Sequence, residues 1–145
     1  MIVNHILELY LVLFITVIVH ELAHAFTAKM IGLDVREFKI GDDLFAVKLG
    51  RVSISLNTIF GSNVSVYSEE LKTKNKMQII IFFMSGSLAN LLLIVLSVLC
   101  NNVNPLYANA LLWCNVYTLI GGICPIILKQ NDMNKMLFYI RNIEK

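Results

Sequence analysis

ILELYLVLFITVIVHELAHAFTAKM, residues 6–30, is the stretch whose reading decides the fold. Fourteen mostly apolar residues lead without a break into a histidine, a glutamate and a second histidine. At about 1.5 Å of rise per residue, a helix over this run exceeds the roughly 30 Å apolar thickness of a bilayer, so it can span with some tilt. Ionisable groups inside a span are costly and rare. Here three are clustered, which a single polar contact between helices does not explain.

Two further apolar runs, about 77–100 and 107–128, are each near the roughly 20 residues that a spanning helix needs, and Asn101 to Pro105 reads as a tight turn between them. The 145 residues are 57% hydrophobic, and the mean hydropathy is +0.72. A soluble domain has roughly 45–50% apolar residues. The expectation is an α-helical membrane protein whose residues 1–145 form a single unit. A net charge of only +2, with no basic run interleaved with aromatics, argues against nucleic acid as a partner. Cys100, Cys114 and Cys124 lack the close paired spacing of a thiolate metal site or a disulfide framework, and read as small apolar side chains. No cationic stretch or small-residue cleavage site marks the N-terminus as removable, so the first helix is expected to remain.

All twelve Lys and Arg residues lie either at or after the end of the first run and before the second, or after the third. Cytoplasmic loops carry the excess of Lys and Arg, so the N-terminus is expected outside, with the Gly32 to Lys76 segment and the C-terminus inside. Within the inner loop, Phe45, Val47 and Leu49 alternate with other residues, as do Val52, Ile54 and Leu56. Period two means strands. With Gly41 to Asp43, Gly50 and Gly61 as turns, the β-rich loop over about 33–67 is expected to form a small antiparallel sheet at the membrane surface. After Asp132, MNKMLFYIRNIEK has the pattern of a short amphipathic helix lying along the inner interface.

His20, Glu21 and His24 form an HExxH motif. Histidines four apart meet on one helix face and can share a metal, with the glutamate beside them as a base. Zinc suits imidazole ligands, and a catalytic zinc needs a third protein ligand plus one position left for water. Two histidines alone do not complete the site. Counted back from Met30, they lie roughly 10–15 Å from the inner end of the helix, within reach of water from the cytoplasm.

HELAHAFTAKMIGLDVREFKIG resembles the signature of the site-2 protease family of intramembrane metalloproteases. In that family HExxH is followed by a small residue, glycine, valine, phenylalanine and glycine at intervals similar to Ala28, Gly32, Val35, Phe38 and Gly41. MSGSLANLLL is similar to the family's Gly-Pro-x-x-Asn stretch, with Gly86 and Asn90 matching and Ser87 in place of proline; the resemblance gives Asn90 a contact to substrate near the metal. An interhelical hydrogen bond is the simpler role for such a residue. GGICPIILKQNDMNKML resembles the segment in which a proline is followed by the aspartate that completes the zinc site. Pro125 and Asp132 match, whereas Gly122 stands where asparagine is usual and Met133 where glycine is. Asp132 also precedes a helical pattern and can act as its cap. Glu8 is near the outer helix end, and Asp34, Glu37, Asp42 and Asp43 fall in the surface loop. TIFGSNVSV is similar to the family's strand around a Gly-Gly pair, with Ser62 departing from it; Gly61, Ser62, Asn63 and Val64 are the candidate substrate-binding residues, through strand addition.

The resemblance implies a minimal three-helix intramembrane zinc metalloprotease in the cell membrane of a prokaryote. It would hold one Zn2+ through His20, His24 and Asp132, with Glu21 as catalytic base. The implied partners are the lipid bilayer and a membrane-embedded peptide or single-spanning protein as substrate; an oligomer or a regulatory partner stays open. Two rivals compete with this reading. A non-catalytic peptide-binding relative is suggested by Ser87, Gly122 and Met133, and opposed by retention of Glu21. A metal transporter would also place histidines and acids in helices, but has no need of the surface sheet.

Overall fold

The computed structural model describes residues 2–41, 46–55, 63–100, 102, 104–124 and 131–143. Helix α1 covers Ile2–Met30, α3 Lys76–Leu99 and α4 Pro105–Ile123, and each contains a segment long and apolar enough to cross a membrane. Leu7, Leu11, Ile15, Leu22 and Phe26 on α1, with Leu88, Leu92 and Val95 on α3, are exposed. In lipid that outward apolar surface is solvated, and the helices keep all their backbone hydrogen bonds internal.

The ends of these helices follow local chemistry. Asn75 opens α3 with a capping box: its Oδ1 accepts from Gln78 N at 2.9 Å, while its own N–H donates to Gln78 Oε1 at 3.1 Å. Pro105 starts α4, where a missing N–H costs nothing. This third helix ends at Ile123, short of the expected 128. Cys124 is extended, the conformation favoured by a residue that precedes proline. Pro125 itself lies outside the described residues.

Between α1 and α3, the strands are β1 (Val35–Ile40), β2 (Val47–Leu49), β3 (Val52–Ile54) and β4 (Asn63–Val66), followed by the short α2 (Ser68–Lys72). Gly50, with φ of +60°, makes the β2–β3 turn. The strand order is β2-β3-β1-β4. The sheet is therefore mixed, which corrects the expectation of a wholly antiparallel one. β2–β3 and β1–β4 are antiparallel, but β1 pairs parallel with β3, Phe38 opposite Val52 and Ile40 opposite Ile54. The reason is that the β2–β3 hairpin docks by its second strand, leaving β2 on the outside.

Helix α5 (Asp132–Ile143) closes the chain, as the amphipathic pattern predicts. The core cluster of Ala28, Leu33, Leu71, Ile79, Phe82, Phe83 and Met136 joins α1, α2, α3 and α5 at the end of the bundle where α1 ends and α3 begins. Ala28, fully buried there, and Gly32, with φ of +69°, explain two of the signature positions: one needs a small side chain, the other a left-handed turn out of α1.

Candidate metal centre

His20 and His24, one turn apart on α1, point toward the start of α5. His24 Nε2 lies 3.2 Å from His20 Nε2 and 3.2 Å from Asp132 Oδ2, and His20 Nε2 lies 3.3 Å from the same oxygen. The three donor atoms form a nearly equilateral triangle. Tetrahedral ligands about 2.0–2.1 Å from zinc are themselves about 3.3 Å apart, so the donor set fits such an ion in both chemistry and spacing. Among the described residues this is the group of metal-ligating side chains that converges in this way.

The outer nitrogens fix the inner ones. His24 Nδ1 is 2.8 Å from the carbonyl oxygen of Phe82, which can only accept, so Nδ1 carries the proton and Nε2 presents a lone pair. Ser85 Oγ donates to the same carbonyl at 2.7 Å and stands 3.1 Å from His24 Nδ1. On the other ring, Asn90 Nδ2 is 2.9 Å from His20 Nδ1, and Asn90 Oδ1 is buried with no partner. Exchanging the two ends of this amide, which leaves its shape unchanged, gives His20 Nδ1–H an acceptor and leaves Nε2 free to ligate. Asn90 is wholly buried behind His20.

Asp132 is free for this role because its neighbour does the capping. Asn131 Oδ1 accepts from Asn134 N at 2.9 Å at the start of α5. Asn131 Nδ2 donates to Cys124 O at 2.6 Å, tying the end of α4 to α5. Burial would raise the Asp132 pKa, but when the facing His20 and His24 rings are protonated at Nε2 as well, their hydrogen bonds and charge outweigh it and hold this carboxyl well below the usual carboxylate range. Its side chain is 21% exposed against 5% for His24, so the centre opens on the α5 side. Glu21, next to His20, is 4% exposed.

Gly86 completes the enclosure from α3. A Cβ there would stand 2.5 Å from both His20 Nε2 and His24 Nε2, so only glycine lets α3 approach the paired nitrogens. Of the substrate-strand residues, Asn63 and Val64 lie on β4, one edge of the sheet, and Gly61 and Ser62 fall outside the described residues. Asn63 Oδ1 accepts from Lys135 Nζ at 3.1 Å, which ties that edge to α5 one turn beyond Asp132. Sequence reasoning missed Asn131, Ser85 and Lys135. Asn131 was readable, as an asparagine three residues ahead of Asn134 at the head of a helical pattern; the other two had no local signal.

A protein of Clostridium perfringens (strain 13 / Type A) named "Putative zinc metalloprotease" is 35% identical over 88 residues, 53% of this chain and 26% of its own length. The chain thus spans about a quarter of that relative, by the same 26%. No solved structure gives a significant match. The sequence profile of peptidase family M50 matches residues 8–138, from the N-terminal part of α1 into α5, a range that includes every residue of the centre. With three apolar helices carrying that match, this chain is an integral membrane protein that belongs to peptidase family M50, a family of metalloproteases.

Proposed function

We propose that the chain hydrolyses a peptide bond in or near the transmembrane segment of a membrane protein or hydrophobic peptide, and that residues 1–145 act as one catalytic core. The observation that carries this reading is the donor triangle of His20, His24 and Asp132, built where an apolar helix meets the inner end of the bundle. The same three residues would hold one zinc ion. Its contribution when bound is Lewis acidity, which brings the ionisation of water close to neutral pH and polarises a carbonyl.

The protein residues do the rest. His24 is oriented by Phe82 O and His20 by Asn90, so neither ring needs to reorganise. A Glu21 carboxylate oxygen takes a proton from the attacking water and delivers it to the leaving amide nitrogen, which departs as an amine. Water adds across the C–N bond, and no other reactant is required. The open edge of β4 suits an extended peptide, whose freed N–H and C=O groups need partners inside lipid. Asn63 and Val64 belong to that edge, and the Lys135 contact keeps it beside Asp132.

The arrangement of Lys and Arg supports an orientation with the N-terminus outside and the centre near the cytoplasmic leaflet of a prokaryotic cell membrane. The deciding experiment compares, by mass spectrometry, peptides released from membranes holding wild type or Glu21→Gln at matched expression. Products are expected with wild type alone, with zinc bound to both. Identical peptide profiles with zinc bound would instead favour a peptide-binding scaffold.

A further inference from the structure

Hydrolysis of an amide moves negative charge onto the carbonyl oxygen, and a hydrogen-bond donor aimed at that oxygen lowers the barrier. Most donors around the centre are already committed. His24 Nδ1–H serves Phe82 O, Ser85 Oγ serves the same carbonyl, and Asn131 Nδ2 serves Cys124 O. The Asn90 amide meets His20 at one end and is sealed in the bundle at the other. Ser87 differs. It is 3% exposed, yet its hydroxyl has no hydrogen-bond partner among the described residues. A buried helical serine ordinarily returns to its own helix backbone, as Ser85 and Ser97 do here.

The direction in which Ser87 faces is fixed by Gly122. A Cβ built on Gly122 would lie 3.4 Å from Ser87 Oγ and 3.9 Å from His20 Cε1. Among the described residues the hydroxyl therefore looks across a gap that glycine leaves open on α4, a gap bounded on its far side by the His20 ring. Ser87 on α3 and Gly122 on α4 thus face each other. One supplies a hydroxyl; the other supplies the space in front of it.

We propose that Ser87 is a further catalytic residue, its Oγ–H donating to the oxygen of the scissile carbonyl as charge collects there, with Gly122 keeping that approach clear. This rests on the hydrolase reading above. The test uses the full chain in detergent, loaded with zinc, and an apolar peptide phosphinate, in which a tetrahedral anionic group replaces the scissile amide, alongside the parent amide peptide. Titration calorimetry should show Ser87→Ala binding the phosphinate about 10- to 100-fold more weakly, as expected for a lost hydrogen bond to a charged group. Amide binding and zinc content should stay at wild-type values. Ser87→Thr, which keeps the hydroxyl, should bind the phosphinate as wild type does, and Gly122→Ala, which puts a methyl group in the gap, should weaken it. Unchanged phosphinate binding by Ser87→Ala, equal weakening of both ligands, or loss of zinc from that variant would each overturn the assignment. Failure of the zinc-loaded wild type to bind the phosphinate would overturn the hydrolase reading and this one with it.

Discussion

Helix α1 carries two polar layers one turn apart, and they are built for different ends. In the outer layer, Thr16 and Asn115 are wholly buried; Asn115 Nδ2 donates to Thr16 Oγ1 at 3.2 Å and to Leu111 O at 2.7 Å, while its Oδ1 has no partner. In the inner layer, Asn90 is equally buried, but its amide meets the ring of His20. The same side chain joins α4 to α1 in one layer and orients a candidate metal ligand in the other. What separates the layers is what converges: a hydrogen bond between α1 and α4 at Thr16, and polar side chains of α1, α3 and α5 together at His20 and His24. Outer-layer changes should therefore touch stability alone, and inner-layer changes should touch zinc.

The largest effect is expected at Gly86. An alanine methyl group would stand 2.5 Å from both Nε2 atoms. Neither ring can yield cheaply, since His24 is pinned to Phe82 O and His20 to Asn90. Gly86→Ala should reduce zinc, measured by elemental analysis of purified protein, to background while thermal unfolding stays cooperative. A fully zinc-loaded alanine variant would break the argument that α3 is glycine there because of the metal.

Asn90→Leu comes next. Loss of an acceptor behind a ligating histidine typically costs about 10- to 100-fold in metal affinity. Competition with a chelator should show a weakening of that size, and proteolysis should recover at raised zinc. If the affinity held and only turnover fell, Asn90 would be acting on substrate instead of on His20.

The inner layer was legible in part. The i, i+4 histidines in an apolar run needed no partner to be read, because one helix face brings them together. Asp132 is separated from His20 by 112 positions, and its resemblance to a family motif, with its place as the one acid adjoining an expected inner helix end, pointed to it; the rival role as a helix cap falls to Asn131. The approach of α3 that makes Gly86 obligatory depends on how two helices pack, which no local pattern encodes. In the sheet, alternation identified β2 and β3 as strands, but side-chain period says nothing about which neighbour a strand takes, and β1 went unread. The parallel pairing of β1 with β3 follows from the docking of a hairpin.

The smallest effect belongs to the outer layer. Interhelical hydrogen bonds in membrane bundles average about 0.6 kcal/mol, reaching about 1.7 at most. Asn115 gains its two donor contacts but keeps a buried oxygen without a partner, and that penalty disappears together with the amide. Thr16, left behind, can return its hydroxyl to a carbonyl of its own helix. Asn115→Leu should then change unfolding free energy in detergent by no more than about 1 kcal/mol, with zinc affinity and product yield unaltered. A variant that lost zinc while remaining folded would show that the outer layer holds His20 through the intervening turn of α1, and the separation between the layers would fail.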